Sequence, residues 1–156
     1  MPIISEKEFE ELKRLRKVEE SVIVGLRAEG FSEKAIEFFR HRKNFLVEGD
    51  PLKNNADANG SFTGSCGDHV NTYLKIRRNI IKDAKYTTNG CPGAVTSASA
   101  LTELVKGKTL EEAGKLTMRD IIGFLKEGDK SLPKHECITI AIASLRDGVR
   151  RYKKKR

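Results

Sequence analysis

Three cysteines stand in loop-like settings where their thiols could do chemistry. They lie in Gly64-Ser65-Cys66-Gly67-Asp68, Asn89-Gly90-Cys91-Pro92-Gly93 and Lys134-His135-Glu136-Cys137. A structural cysteine usually sits in an apolar periodic run and behaves as a small hydrophobe. None of these does. The thiolate, rather than the thiol, is both the nucleophile and the metal ligand. Cys91 falls where a strand turns into a helix, and Cys137 falls where the last helix opens. There the unpaired N–H groups and the helix dipole are expected to favour a thiolate. Lys134 is expected either to lower the Cys137 pKa or to pair with a carboxylate ligand. Asp68 follows Cys66 by two residues and adds an oxygen donor. The cysteines are 25 and 46 residues apart, with no C-x-x-C pair. That spacing excludes a zinc ribbon and a thioredoxin-like motif. Only the fold could bring the three loops to one place. The bland alternative is three separate buried thiols.

The elements that would carry these loops are legible. Ser5 and Glu8 have capping-box spacing, and Phe9, Leu12, Leu15, Val18, Val22 and Leu26 recur every three or four residues up to Gly30. This stripe is expected to pack on the domain or to form a partner or dimer surface. Ser32 caps a second expected helix, with Ile36, Phe38 and Phe39 as its apolar contacts. Residues 43–60 read as a long loop rich in Asn, Asp, Gly and Pro. From His69 the period becomes two: Val70, Thr72, Leu74 and Ile76 share one face of a strand. Arg78-Asn79 begins a turn, and 80–88 is the returning strand. Helices are then expected over 94–106, after Thr109 and after Thr117. A last helix follows Pro133, with the stripe Ile138, Ala141, Ile142, Leu145, Val149 and Tyr152. The order predicts an α+β fold, a small antiparallel sheet packed by helices with an extra N-terminal helix.

The 156 residues suffice for one domain with a core. No stretch approaches the roughly 20 apolar residues of a membrane span, and the acidic segment 2–12 lacks a signal core. A cytoplasmic protein is expected, with reduced thiols rather than a disulfide framework. The formal charge is +8, part of it in the run Arg150-Arg151-Tyr152-Lys153-Lys154-Lys155-Arg156. Aromatic residues make up only 6% and none interleaves with a basic patch, so a base-stacking platform for nucleic acid is not expected.

From about Phe31 to Tyr152 the chain resembles the IscU/NifU-type iron–sulfur cluster assembly scaffolds. The segments that carry the resemblance are Phe31 to Phe39, Cys66-Gly67-Asp68, Tyr86-Thr87-Thr88-Asn89-Gly90-Cys91, Ala94 to Lys108, and Cys137. The resemblance covers a scaffold domain over 31–152 and leaves outside it an N-terminal helical extension over 1–30, for which it offers no counterpart, and a basic tail over 153–156. It implies a scaffold that receives persulfide sulfur from a cysteine desulfurase and binds iron. The scaffold then passes a [2Fe-2S] cluster to recipient apo-proteins, without enzymatic turnover of its own. Homo-oligomers are compatible with it. By the same resemblance Cys66, Cys91 and Cys137 hold the cluster or a zinc ion, Asp68 tunes its lability, and Cys137 first accepts persulfide. A histidine commonly precedes the third cysteine in the family. Here that position is Glu136, with His135 one residue back, so the fourth ligand is expected to be Asp68, then Glu136, with His135 as a further candidate. Of the family's Leu-Pro-Pro-Val-Lys chaperone motif this chain keeps Leu132-Pro133-Lys134. The alternative reading is a zinc-dependent sulfurtransferase of the same superfamily. Those relatives carry an insertion between the second and third cysteines that this chain lacks.

Overall fold

The computed structural model describes residues 4–155. Pro2 of the acidic N-terminal segment and Arg156 of the basic tail lie outside the described residues. The first expected helix is present as α1, Glu6–Glu29, with Ser5 and Glu8 forming a reciprocal capping box and Gly30 ending it at φ 107°. Its docking is one-ended. Ile23 and Leu26 are buried, whereas Phe9, Leu12, Leu15 and Val18 are each about half exposed. The expected stripe therefore packs on the domain only over its last two turns.

α2, Glu33–His41, starts at Ser32. The Ser32 hydroxyl accepts from the Ala35 N–H and donates to the Leu125 carbonyl oxygen, tying the start of the helix to a segment distant in sequence. The segment read as one long loop holds more structure than expected. It contains a short helix, α3 (Leu52–Asn55), and the start of β1 (Ala58–Thr63). β1 pairs antiparallel with β2 (His69–Arg77), which pairs antiparallel with β3 (Ile80–Thr88), giving sheet order β1-β2-β3. The turn between β2 and β3 is Arg78-Asn79, with φ of 52° and 66°. Two positive φ values match the type I′ hairpin that suits twisted strands. Val70, Thr72, Leu74 and Ile76 are all buried, as the period-two reading requires.

α4, Pro92–Val105, and α7, His135–Lys154, lie on the sheet, with α5 (Leu110–Gly114) and α6 (Met118–Leu125) between them in sequence. The contact of α7 with β1 is backbone on backbone. A Cβ on Gly60 would stand 1.9 Å from the Ser144 carbonyl oxygen and 2.4 Å from the Gly148 nitrogen. Around this crossing the buried polar groups are paired: the Thr72 and Ser144 hydroxyls bond at 2.8 Å, and Ser144 also donates to the Gly60 oxygen.

Asp147 finishes the clamp. Its carboxylate accepts from the Ser61 N–H of β1 at 3.0 Å and pairs with Arg150 and Arg151. Burial would raise its pKa, but the Ser61 bond and the two guanidinium groups outweigh burial and hold it below the usual carboxylate value. A carboxyl with a lowered folded pKa stabilises above its unfolded pKa, and that contribution is lost as pH falls through the folded value. Asp147→Ala is expected to cost about 1–3 kcal/mol in urea unfolding at pH 7. The cost should shrink at acid pH, and Asp147→Asn should recover part of the Ser61 bond.

Candidate metal centre

Three separate parts of the fold meet at the ends of α4 and α7. The hairpin-like loop 64–68 leaves β1 and turns at Gly67 (φ 90°), held by Gly64 N–H to Asp68 oxygen and Gly67 N–H to Gly64 oxygen bonds. It presents Cys66 and Asp68. β3 runs out at Thr88, whose hydroxyl accepts from the Gly90 N–H, and Cys91 becomes the N-cap of α4 with Pro92 as its first helical residue. Pro is favoured there because its missing N–H would be unpaired anyway. α7 opens at His135 and puts Cys137 in its first turn.

Asp68, Cys91 and Cys137 each offer a ligand atom, and these atoms lie within 4.8 Å of one another. The Cys91 and Cys137 sulfurs are 3.7 Å apart, and the Cys91 thiol donates to Asp68 Oδ2 at 3.6 Å. A tetrahedral ion with metal–sulfur bonds near 2.3 Å and a metal–oxygen bond near 2.1 Å would space its ligands about 3.8 Å (S to S) and about 3.6 Å (S to O) apart. Two of the three ligand spacings thus match one tetrahedral ion of the zinc or iron type and the third lies within 4.8 Å, with a donor set of two sulfurs and one oxygen. Asp68 is half-buried, Cys91 exposed and Cys137 buried.

Cys66 is exposed on the loop beside Asp68 and stands outside this group, though its charge is felt at Cys137. Glu136 also stands outside it. Its Oε1 accepts a hydrogen bond from the Ser65 hydroxyl at 3.3 Å, so it braces the Cys66 loop. His135 is exposed and contributes its backbone oxygen to Thr139. His69 turns away to the outer face of the sheet, bonded to Ser61, Thr63 and Asn71.

The electrostatics differ from expectation at Cys137. Cys137 was expected to be an easy thiolate. Burial pushes its thiol up to about 12, helped by the neighbouring charges of Cys91, Asp68 and Cys66 and by its bond to Cys91. Here burial among anionic neighbours outweighs the helix end. Lys134 was expected to act on Cys137 or on a carboxylate ligand. Its ammonium lies 3.1 Å from Glu29 at the end of α1; this pairing raises its pKa, and the charges of Cys91 and Cys137 add to the rise.

Two further residues shape the site. A Cβ on Gly93 would come 2.8 Å from Lys134 Cγ and 3.0 Å from Cys137 Sγ, so the glycine lets α4 close on α7. The glycine two residues after Cys91 is its signal in the sequence. Glu29 carries no sequence signal at all.

With this geometry established, relatedness can be set beside it. Residues 30–156 match the family model described as the NifU-like N-terminal domain. The chain is 35% identical over 128 residues to an iron–sulfur cluster assembly scaffold protein IscU of Archaeoglobus fulgidus, covering 80% of this chain and 78% of that one. It is 38% identical over 107 residues to the iron–sulfur cluster assembly protein IscU of Plasmodium falciparum, covering 66% of this chain; it spans only 63% of that relative's length. Among solved structures, a nitrogen-fixing NifU-like protein (N-terminal) from Brucella abortus superposes with a TM-score of 0.55 at 20% identity, covering 79% of this chain and 94% of that one. At that identity the likeness speaks for the fold.

Proposed function

The chain belongs to the NifU-like N-terminal domain family, and from that premise we propose that it is a scaffold on which an iron–sulfur cluster is assembled. The single observation that carries this reading is the convergence of Asp68, Cys91 and Cys137 at ligand spacing on three separate elements. Iron and sulfur are the cargo. Asp68, Cys91 and Cys137 take the first iron, and the exposed Cys66 on its loop completes the thiolate set for a [2Fe-2S] cluster. A carboxylate among thiolates holds iron less firmly than a fourth thiolate would, which suits a cluster meant to leave. Glu136, in the first turn of α7 beside Cys137, is the reserve oxygen ligand.

Order of loading follows from the Cys137 thiol. With a pKa near 12 it is protonated at neutral pH. A cation beside Asp68 and Cys91 would reverse that balance and release its proton. Iron therefore precedes sulfur. The Cys137 thiolate then attacks the outer sulfur of a persulfide on a cysteine desulfurase; the S–S bond breaks and the desulfurase cysteine leaves as a thiolate. Lowering that sulfur to sulfide takes two electrons from an outside donor protein. Lys134, pinned by Glu29 at the mouth of the site, offers a cation to the approaching persulfide. Free thiols fit a reducing compartment, and the proposed location is the cytoplasm. Among the described residues no helix is long and apolar enough to cross a membrane.

The test is anaerobic reconstitution with ferrous iron, cysteine and a cysteine desulfurase, read by visible absorption and by transfer to an apo-ferredoxin. Wild-type protein should gain a cluster and pass it on. Cys66→Ser, Cys91→Ser and Cys137→Ser should each lose most of the absorbance. Asp68→Ala should form a cluster that stays bound longer. Zinc-dependent stimulation of the desulfurase without any cluster would replace this reading with a zinc-dependent persulfide acceptor.

A further inference from the structure

The N-terminal two-thirds of α1 has no partner within the described molecule. Advancing 100° per residue, Leu12 and Leu15 lie on the same face as Val22, Ile23 and Leu26, the face that docks on the domain. Phe9 and Arg16 border that face on one side, and Glu11 and Val18 on the other. Ile4, Phe9, Leu12, Leu15 and Val18 are 43–54% exposed.

Its charges are ordered along the axis. Within residues 6–18, Glu6, Glu8, Glu10 and Glu11 precede Leu12, and Lys13, Arg14, Arg16 and Lys17 follow it, with Lys7 the one exception; Glu19 and Glu20 lie beyond this block, opposite the uncharged Ser5 and Ile4 of a reversed copy. A pattern reflected about Leu12 is complementary to itself only when reversed. Two parallel copies would set acid on acid and base on base. Two antiparallel copies crossing at Leu12 set the acidic block of each on the basic block of the other.

We propose that α1 pairs with α1 of a second copy of this chain, antiparallel, about a two-fold axis at Leu12. Leu12 meets its own counterpart, Phe9 meets Leu15, and Glu8 meets Arg16. The partner's Ile4 then falls opposite Glu20, one turn short of Ile23, where the helix docks on its own domain. The two domains sit at opposite ends of the pair, about 33 Å apart measured along the helix between the two Ile23 positions. They do not compete for space, and both metal centres stay open. Such a contact is at or below the small end of specific interfaces, about 1,200 Å². It should therefore be a reversible equilibrium with Kd of roughly 1–100 µM.

Sedimentation equilibrium of the full chain from 5 to 500 µM, with a thiol reductant and a chelator present, tests this directly. Wild type should move from monomer to dimer and no further. Leu12→Asp places two like charges on the axis and should weaken association at least about tenfold. Glu8→Arg and Arg16→Glu should each weaken it about fivefold, and the double variant should return to within about twofold of wild type. The double variant loses the same N-terminal capping box as Glu8→Arg, so rescue cannot come from the cap. A monomer throughout, a larger species, a dimer indifferent to Leu12→Asp, or a double variant no tighter than the singles would each overturn the proposal. Circular dichroism and thermal melts of each variant check that the scaffold domain is intact.

Discussion

Gly60→Ala is expected to destabilise the fold more than any other single methyl group added to this chain. The added carbon would stand 1.9 Å from the Ser144 oxygen, 2.4 Å from the Gly148 nitrogen and 2.9 Å from the Gly148 Cα. All three are backbone atoms of α7, so no side-chain rotation relieves the clash. The helix must lift off β1 as a body. Overpacking into a soft core costs roughly 1–3 kcal/mol, and a rigid backbone obstacle puts this variant at or above about 3 kcal/mol. For a chain of this size that lowers Tm by roughly 10 °C. The reciprocal change is milder. A Cβ on Gly148 meets the Gly60 nitrogen at 3.0 Å and the Gly60 Cα at 3.3 Å, and alanine gains up to about 1 kcal/mol of helix propensity. Gly148→Ala should therefore fall well short of Gly60→Ala in calorimetry or urea unfolding.

The same substitution should reach the metal centre. β1 leads into the loop with Cys66 and Asp68, and α7 carries Cys137 at its other end. The glycine crossing sets the distance between them. Lifting α7 should weaken zinc binding by Gly60→Ala even at temperatures where the protein is still folded. Equal zinc affinity in folded Gly60→Ala and wild type would show that the crossing does not set the site.

This crossing also explains where the sequence could not be read. β1 contributes Ala58 and Gly60 to the buried face. A strand that must let a helix backbone touch it shows small residues where a strand reader looks for Val, Ile or aromatic groups. Residues 58–60 therefore blended into the polar loop before them. By contrast β2 carries Val70, Thr72, Leu74 and Ile76 at perfect alternation, and the capping boxes at Ser5 and Thr109 appear as spaced. The site was legible to the extent that its ligands announce themselves by type. Cys91, Cys137 and Asp68 could be chosen from the sequence. The Lys134–Glu29 pair and the sign of the Cys137 shift could not, because both depend on which groups the fold places together.

Metal-free Cys137 is expected to be a slow thiol, and removing its neighbour should make it faster. With its pKa pushed up to about 12, chiefly by burial, the thiolate is scarce at pH 8. Alkylation by iodoacetamide should be much slower in the native protein than in denaturant, with closed access adding to the difference. The rate should climb with pH well past 9. The stability consequence has a definite sign. A thiol whose folded pKa is raised contributes fully below the unfolded pKa, and the contribution is lost as pH climbs from about 9 towards the folded value of about 12. Cys91→Ser separates the two roles of this cluster. It removes the neighbour whose interactions with Cys137, a hydrogen bond among them, help to raise that thiol's pKa, so Cys137 should alkylate several-fold faster. It also removes one of three ligands, so zinc affinity should fall by at least about a hundredfold. Reactivity and metal affinity thus move in opposite directions in one variant. A purely structural defect would expose Cys137 and raise its reactivity all the way to that of the denatured chain. Mass spectrometry of the alkylated peptide, with and without zinc, distinguishes the cases: zinc should protect Cys137 in wild type and fail to do so in Cys91→Ser.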